Sequence, residues 1–164
     1  MLKKILLGIL ILLISGGVFI YMNPTIKKRI IQLIKVQQTI EVPPKEVLTT
    51  LVKDNIQYFA VSLKEKSMET FYKNISPFWQ TKTSVKKLDK VFSPFMKAGI
   101  DLTVLKNTTP LIDNTPKVSS KGNLYLVGHY NTKPSVLLFK QTYRAEENGS
   151  WKLVEFFIEL KKTK

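Results

Sequence analysis

The sequence predicts an α+β protein: an N-terminal transmembrane helix, then three helices packed on a curled antiparallel sheet. Three observations predict it. Ile5 to Met22 runs without a charge. Apolar residues between Glu46 and Gly99 recur at helical spacing, and Leu124 to Leu160 alternates apolar and polar residues around two turn signals. Everything before the sheet then reads as a tether plus the helices that cover it.

The elements in order begin with Met1-Leu-Lys-Lys, a basic start. The uncharged run that follows is 18 residues long, roughly 27 Å as a helix, which is the short end of a membrane span. Two readings share these features. Ser15 and Gly17 are small enough for a cleavage site, but no Ala-x-Ala is present and Val18-Phe19-Ile20-Tyr21 continues the apolar run, which favours an uncleaved signal anchor over a cleaved signal. Lys3 and Lys4 on one side compete with Lys27, Lys28, Arg29 and Lys35 on the other, so charge alone does not set orientation. The export-signal shape places the domain on the extracytoplasmic side of the inner (cytoplasmic) membrane, as a single-pass protein.

Three segments follow from this: a membrane anchor or signal over 1–23, an amphipathic juxtamembrane helix or linker over 24–42, and a folded domain over 43–164. In the second segment Ile26, Ile30, Leu33, Ile34 and Ile40 share a face, with Lys28, Gln32, Lys35 and Thr39 opposite. It reads either as a basic helix on anionic lipid, through Lys27, Lys28, Arg29 and Lys35, or as a stalk packed on the domain or a second copy. Val42-Pro43-Pro44 ends it.

The first domain helix is expected over Glu46–Leu63, with Val47, Leu48, Leu51, Val52, Ile56, Phe59 and Leu63 in its stripe. A short second helix follows Ser67, carries Met68, Phe71, Tyr72 and Ile75, and stops at Ser76-Pro77. Thr83 or Ser84 caps a third, with Val85, Leu88, Val91, Phe92 and Phe95 inward, Pro94 kinking it and Gly99 closing it. Leu111 to Ser119 holds turn residues and one irregular edge strand.

The sheet is the most legible part. Asn148-Gly149 predicts a two-residue type I′ hairpin, which needs positive φ at both residues. That register sets Tyr143 opposite Val154, Gln141 opposite Phe156, Phe139 opposite Ile158 and Leu137 opposite Leu160 on the core face. The other face carries Leu138 with Glu159, Lys140 with Phe157, Thr142 with Glu155 and Arg144 with Leu153. A four-residue turn at Thr132–Ser135 adds Leu124, Leu126, Gly128 and Tyr130 to the core face.

Composition bounds function. The chain carries 26 Lys plus Arg against 12 Asp plus Glu, a net charge of +14. Arg29 and Arg144 are its only arginines, which argues against specific nucleic-acid recognition, where arginine dominates. Without cysteine there are no disulfides and no thiolate metal sites. His129 is the single histidine; with no acidic cluster spaced to join it, it reads as a solvated or salt-bridged structural residue, and no metal or cofactor is expected. Asp101 reads as a turn or cap residue.

The runs Ser67 to Gln80, Phe95 to Leu102, Gly128 to Ser135 and Gly149 to Val154, in this order of helices and sheet, resemble a group of bacterial exported, membrane-anchored proteins of the nuclear transport factor 2-like superfamily. The resemblance covers roughly residues 45–160. It implies a cone-shaped α+β fold, in a superfamily that includes the ketosteroid isomerases and single-pass components of secretion machines. An isomerase-like cone would use a buried Asp as base, and the apolar face of this sheet carries no carboxylate.

The expected function is a membrane-tethered, non-enzymatic binding or assembly domain, tethered through Ile5–Met22. The alternatives are an isomerase- or dehydratase-like enzyme working in the cone, or a component of a secretion-type envelope complex. Tyr130, Phe139, Tyr143, Phe59, Phe92 and Phe95 either fill the cone or line a pocket in it. If they fill it, Trp151, Leu153 and Phe157 form an outward stripe that pairs two copies or docks a protein partner.

Overall fold

The computed structural model describes residues 41–162. The described residues belong to one compact unit. Its elements are helices α1 (Lys45–Glu65), α2 (Glu69–Asn74), α3 (Pro77–Gln80) and α4 (Val85–Lys97), a 3-10 turn (Thr103–Asn107), and strands β1 (Leu111–Ile112), β2 (Lys117–Val118), β3 (Asn123–Tyr130), β4 (Ser135–Ala145) and β5 (Trp151–Lys162).

This α+β fold corrects the expectation of a transmembrane helix followed by three helices. No helix among the described residues is long and apolar enough to cross a membrane. The longest, α1, has 21 residues but is broken by Lys45, Glu46, Lys53, Asp54, Lys64 and Glu65. Ile5–Met22, where the span was expected, lies outside the described residues, as do Lys27, Lys28, Arg29 and Lys35. Among the described residues the α-helices number four rather than three. Ser76-Pro77 does not merely end α2; the Ser76 hydroxyl accepts the Trp79 amide at 3.0 Å and starts α3 with Pro77 in its first turn.

Each helix is tied by groups the sequence supplies locally. Pro44 precedes α1, and Lys66 closes it at φ 55 in the left-handed region. The buried Ser62 hydroxyl accepts the Phe71 amide at 2.9 Å, which joins α2 to α1. Asp89 of α4 accepts the Met68 amide at 2.7 Å. Ser84 caps α4 by accepting the Lys87 amide at 3.3 Å, and the helix runs through Pro94. Val47 and Val91, expected inward, are exposed.

The sheet is antiparallel in the order β1-β3-β4-β5, with β2 also on β3. The expected single edge strand is two short ones. Between them the Asn114 side chain stands in for the missing backbone: its amide nitrogen donates to Tyr125 O at 3.0 Å and its oxygen accepts the Val127 amide at 2.7 Å. The β3–β4 pairing matches the four-residue turn, with Leu124 opposite Tyr143, Leu126 opposite Gln141, Gly128 opposite Phe139 and Tyr130 opposite Leu137.

The β4–β5 pairing differs from expectation at one end. From Leu137–Leu160 to Thr142–Glu155 the register is as predicted, but Tyr143 then faces Leu153, Arg144 faces Lys152 and Ala145 faces Trp151. Glu146 and Ser150 close the loop, with the Glu146 amide donating to Ser150 O at 2.8 Å. The loop therefore holds three residues, Glu147, Asn148 and Gly149. Gly149 takes φ +81, while Asn148 is not among the positive-φ residues, so the turn is not type I′. It is a type I turn followed by a left-handed glycine. Val154 is the unmatched residue of a bulge that cancels the extra loop residue.

The core lies between the helices and the inner face of the sheet. Phe59 of α1 sits at its centre, with ring centroids of Phe92 at 4.9 Å, Phe156 at 5.0 Å, Phe71 at 5.7 Å and Phe95 at 5.9 Å. Leu48, Val52, Ile56, Leu63, Leu124, Leu126, Leu137, Leu153 and Ile158 are among the residues packed around it.

Candidate functional site

The sheet has two faces and the sequence left both open as sites. On the inner face Tyr130, Phe139 and Tyr143 point at the helices and are fully buried, as is Phe59; Phe92 is buried, and Phe95 is packed at the margin. Tyr130 and Phe139 meet edge to face at 6.0 Å. These six residues come together as a packed core.

One polar group of residues lies within that core. The Tyr143 hydroxyl donates to the Gln141 side-chain oxygen. Asn55 of α1 donates to the Tyr143 hydroxyl at 3.4 Å and to Leu51 O at 2.8 Å. The Gln141 side-chain nitrogen has no partner, although the residue is 1% exposed. Burial pushes the Tyr143 phenol well above its usual range, against a smaller opposing effect of the bond from Asn55; the nearby Tyr130 and Asp54 push it further up. Burial also raises the Tyr130 phenol. Both hydroxyls are therefore neutral donors at ordinary pH. The alternation of the strand places Gln141 on this face, but nothing in the sequence pairs it with Asn55, 86 positions away in another element type.

The outer face is different. Tyr125 of β3 is 44% exposed and Phe157 of β5 is 47% exposed. Between them Thr142 and Lys140 of β4 form the floor, and the Thr142 hydroxyl donates to Glu155 at 2.8 Å. Lys140 Nζ stands 5.6 Å from the Phe157 ring centroid, within cation–π range. Together with Val127 these residues line an open groove of about 300 Å³. A second concavity, about 240 Å³, lies where α1 and α4 end, lined by Leu63, Lys64, Phe95, Met96, Ile100 and Asp101. There Asp101 accepts the Thr103 amide and hydroxyl, at 2.8 and 2.6 Å, which lower its pKa and mark it as a turn-forming residue.

Only Phe157 of the expected outward stripe is on the outer face. Leu153 is fully buried and Trp151 is packed against the core. The Val154 bulge turns both inward, onto the side of Tyr143 and Ala145. Tyr125 takes their place beside Phe157. Its alternation with Leu124 and Leu126 was readable, but its position two strands from Phe157 follows only from both registers together.

His129 is held across the β1–β3 edge by Asp113, at 2.8 Å from Nδ1 to the carboxylate. Among the described residues no group of three or more His, Cys, Asp or Glu side chains is placed to hold a metal ion.

No family model, curated protein or solved structure matches this chain. The resemblance drawn from its sequence therefore carries no residue role onto it.

Proposed function

We propose that the domain is a non-enzymatic binding module that takes a protein partner on the outer face of its sheet. The observation that carries this reading is the contrast between the faces. Large side chains fill the inner one, while Tyr125 and Phe157 stand nearly half exposed around the groove on the outer one. Exposed aromatic side chains such as Tyr125 and Phe157 are enriched at protein interface centres, while charged groups such as Lys140 and Glu155 suit the polar rim. The groove is open, which suits a protein surface better than an enclosed small molecule. The buried polar groups of the inner face, Asn55, Gln141 and Tyr143, include no carboxylate, imidazole or amine to act as a general base, and this supports the binding reading over isomerase or dehydratase chemistry.

The test is a photo-reactive residue placed at position 157 of the full chain in its own host. A discrete protein adduct is expected, absent when the same residue is placed at the exposed Val104 and lost when Tyr125→Ser is added. Identical adducts from positions 157 and 104 would sink the proposal. So would a small molecule that is released on denaturing wild type but not Tyr143→Phe.

A further inference from the structure

We propose that the free edge of β5 pairs antiparallel with β5 of a second copy, about a two-fold axis through Ile158. This site shares Glu155 and Phe157 with the outer-face groove but rests on the backbone edge of β5, not on the groove being occupied. Among the described residues no strand lies beyond β5, which ends the sheet. It is a 12-residue strand, long for an edge, and it has no proline to blunt it.

The hydrogen-bond phase shows what that edge offers. The Glu146 amide donates to Ser150 O. Amide groups alternate sides along a strand, so Arg144, Thr142, Lys140, Leu138 and Val136 direct theirs at β5. Their partners Phe157, Glu159 and Lys161 direct theirs back. Phe156, Ile158, Leu160 and Lys162 are then left with amides and carbonyls aimed away from the sheet. The β3 side agrees with this phase: Val127 and Tyr125 bond outward to Asp113 and Asn114. At the other end of β5 the edge is already closed, because the Ser76 amide donates to Leu153 O at 2.8 Å and the bulge follows.

The side chains select the partner. Keeping both core faces on one side of a joined sheet requires the axis to pass through a residue, not between two. An axis at Phe157 sets Glu155 against Glu159 of the second copy, and one at Glu159 sets that carboxylate against itself. An axis at Leu160 matches Glu159 with Lys161 but leaves Phe156 uncovered. The axis at Ile158 sets Glu155 against Lys161 twice, Phe156 against Leu160 twice, Phe157 against Glu159 twice, and Ile158 against itself, with no like charges opposed over these residues. Like charges opposed across a ladder are unfavourable and opposite ones favourable. Phe156 and Leu160 lie on the core face yet are only half-buried, and among the described residues no strand lies beyond theirs. Pairing covers both.

The test is a charge-swap cycle on the full chain, read by sedimentation across a dilution series, with circular dichroism to verify folding. Glu155 and Lys161 are exposed; Glu155→Lys gives up the bond from the Thr142 hydroxyl, and the circular dichroism should show that the fold survives it. Glu155→Lys and Lys161→Glu should each weaken self-association at least about tenfold, and the double reversal should restore it. The chain has no cysteine, so Glu155→Cys with Lys161→Cys should give a disulfide-linked dimer on oxidation, while Glu155→Cys alone should not. A monomeric wild type overturns the proposal and leaves the edge to a different protein's strand. A dimer indifferent to both reversals, or a double reversal that fails to rescue, overturns it equally.

Discussion

Tyr143 and Leu153 face each other across β4 and β5, while Gln141 and Phe156 keep a pairing one residue out of step with them. The offset is Val154. It puts Leu153 in the core, where a regular ladder from a two-residue turn would have put it outside. Leu153→Asp should therefore prevent folding, because burying an unpaired carboxylate costs several kcal/mol or forces its protonation. Lys152→Asp, one residue away on the outer face, should change the melting temperature little. Equal effects of the two changes in thermal melts would contradict the bulge.

That pair also shows what the sequence could and could not specify. The faces of Leu137 to Thr142 were legible because alternation over six residues has one buried solution. The end near the hairpin was not, because Asn148-Gly149 fits two turns. In one, both residues take positive φ; in the other, only the glycine does. The two differ by a residue in loop length, and Val154, an ordinary strand residue, gives no sign that it is unmatched. The same limit cost the outer site its composition: Trp151 and Leu153 went inward, and Tyr125, which alternation puts on the outer face, was not joined to Phe157. Helix α3 was missed because four residues cannot show a period, although Ser76-Pro77 carried its cap. The core aromatics Phe59, Phe92 and Tyr143 were legible from spacing alone. Whether they enclosed a space was not, since that depends on how closely the elements approach.

Gly128 marks one such close approach. A Cβ there would overlap the Leu111 carbonyl and the Phe139 ring. The first is backbone of β1 and cannot rotate away. Gly128→Ala should destabilise the domain by about 1–3 kcal/mol, as overpacking does. Denaturant unfolding would measure it. Leu111→Ala, which leaves the carbonyl in place, should not rescue the variant.

The polar group in the core makes a prediction about sign. Gln141→Leu strands the Tyr143 hydroxyl without its acceptor and should cost about 1–3 kcal/mol. Gln141→Leu with Tyr143→Phe removes both ends of that bond, and also the unpartnered Gln141 nitrogen. Asn55 keeps its bond to Leu51 O. The double variant should be as stable as wild type or more so. If the double variant loses as much as the single one in urea melts, the bond is not what the substitution breaks.

The two buried phenols predict how stability falls in alkali. Burial raises the pKa of Tyr143, and of Tyr130, above the ordinary 10.0. In this case the folded chain holds protons that the unfolded chain releases. Between the unfolded and folded pKa values the unfolded state binds fewer protons, so stability declines as pH rises. The contribution is whole below about pH 10 and is lost above it, at up to about 1.4 kcal/mol per pH unit for each phenol. Lysines also titrate in this range, so the wild-type profile alone would not isolate the effect. Tyr143→Phe and Tyr130→Phe share that lysine background and differ only in the hydroxyl. Unfolding free energies compared between about pH 8 and pH 11 should fall less steeply in either variant than in wild type, and least in the double. Profiles that stay parallel in all four proteins would mean that these hydroxyls ionise as freely in the folded chain as in the unfolded one. The packed inner face, on which the outer-face reading of function rests, would then have to be open to water.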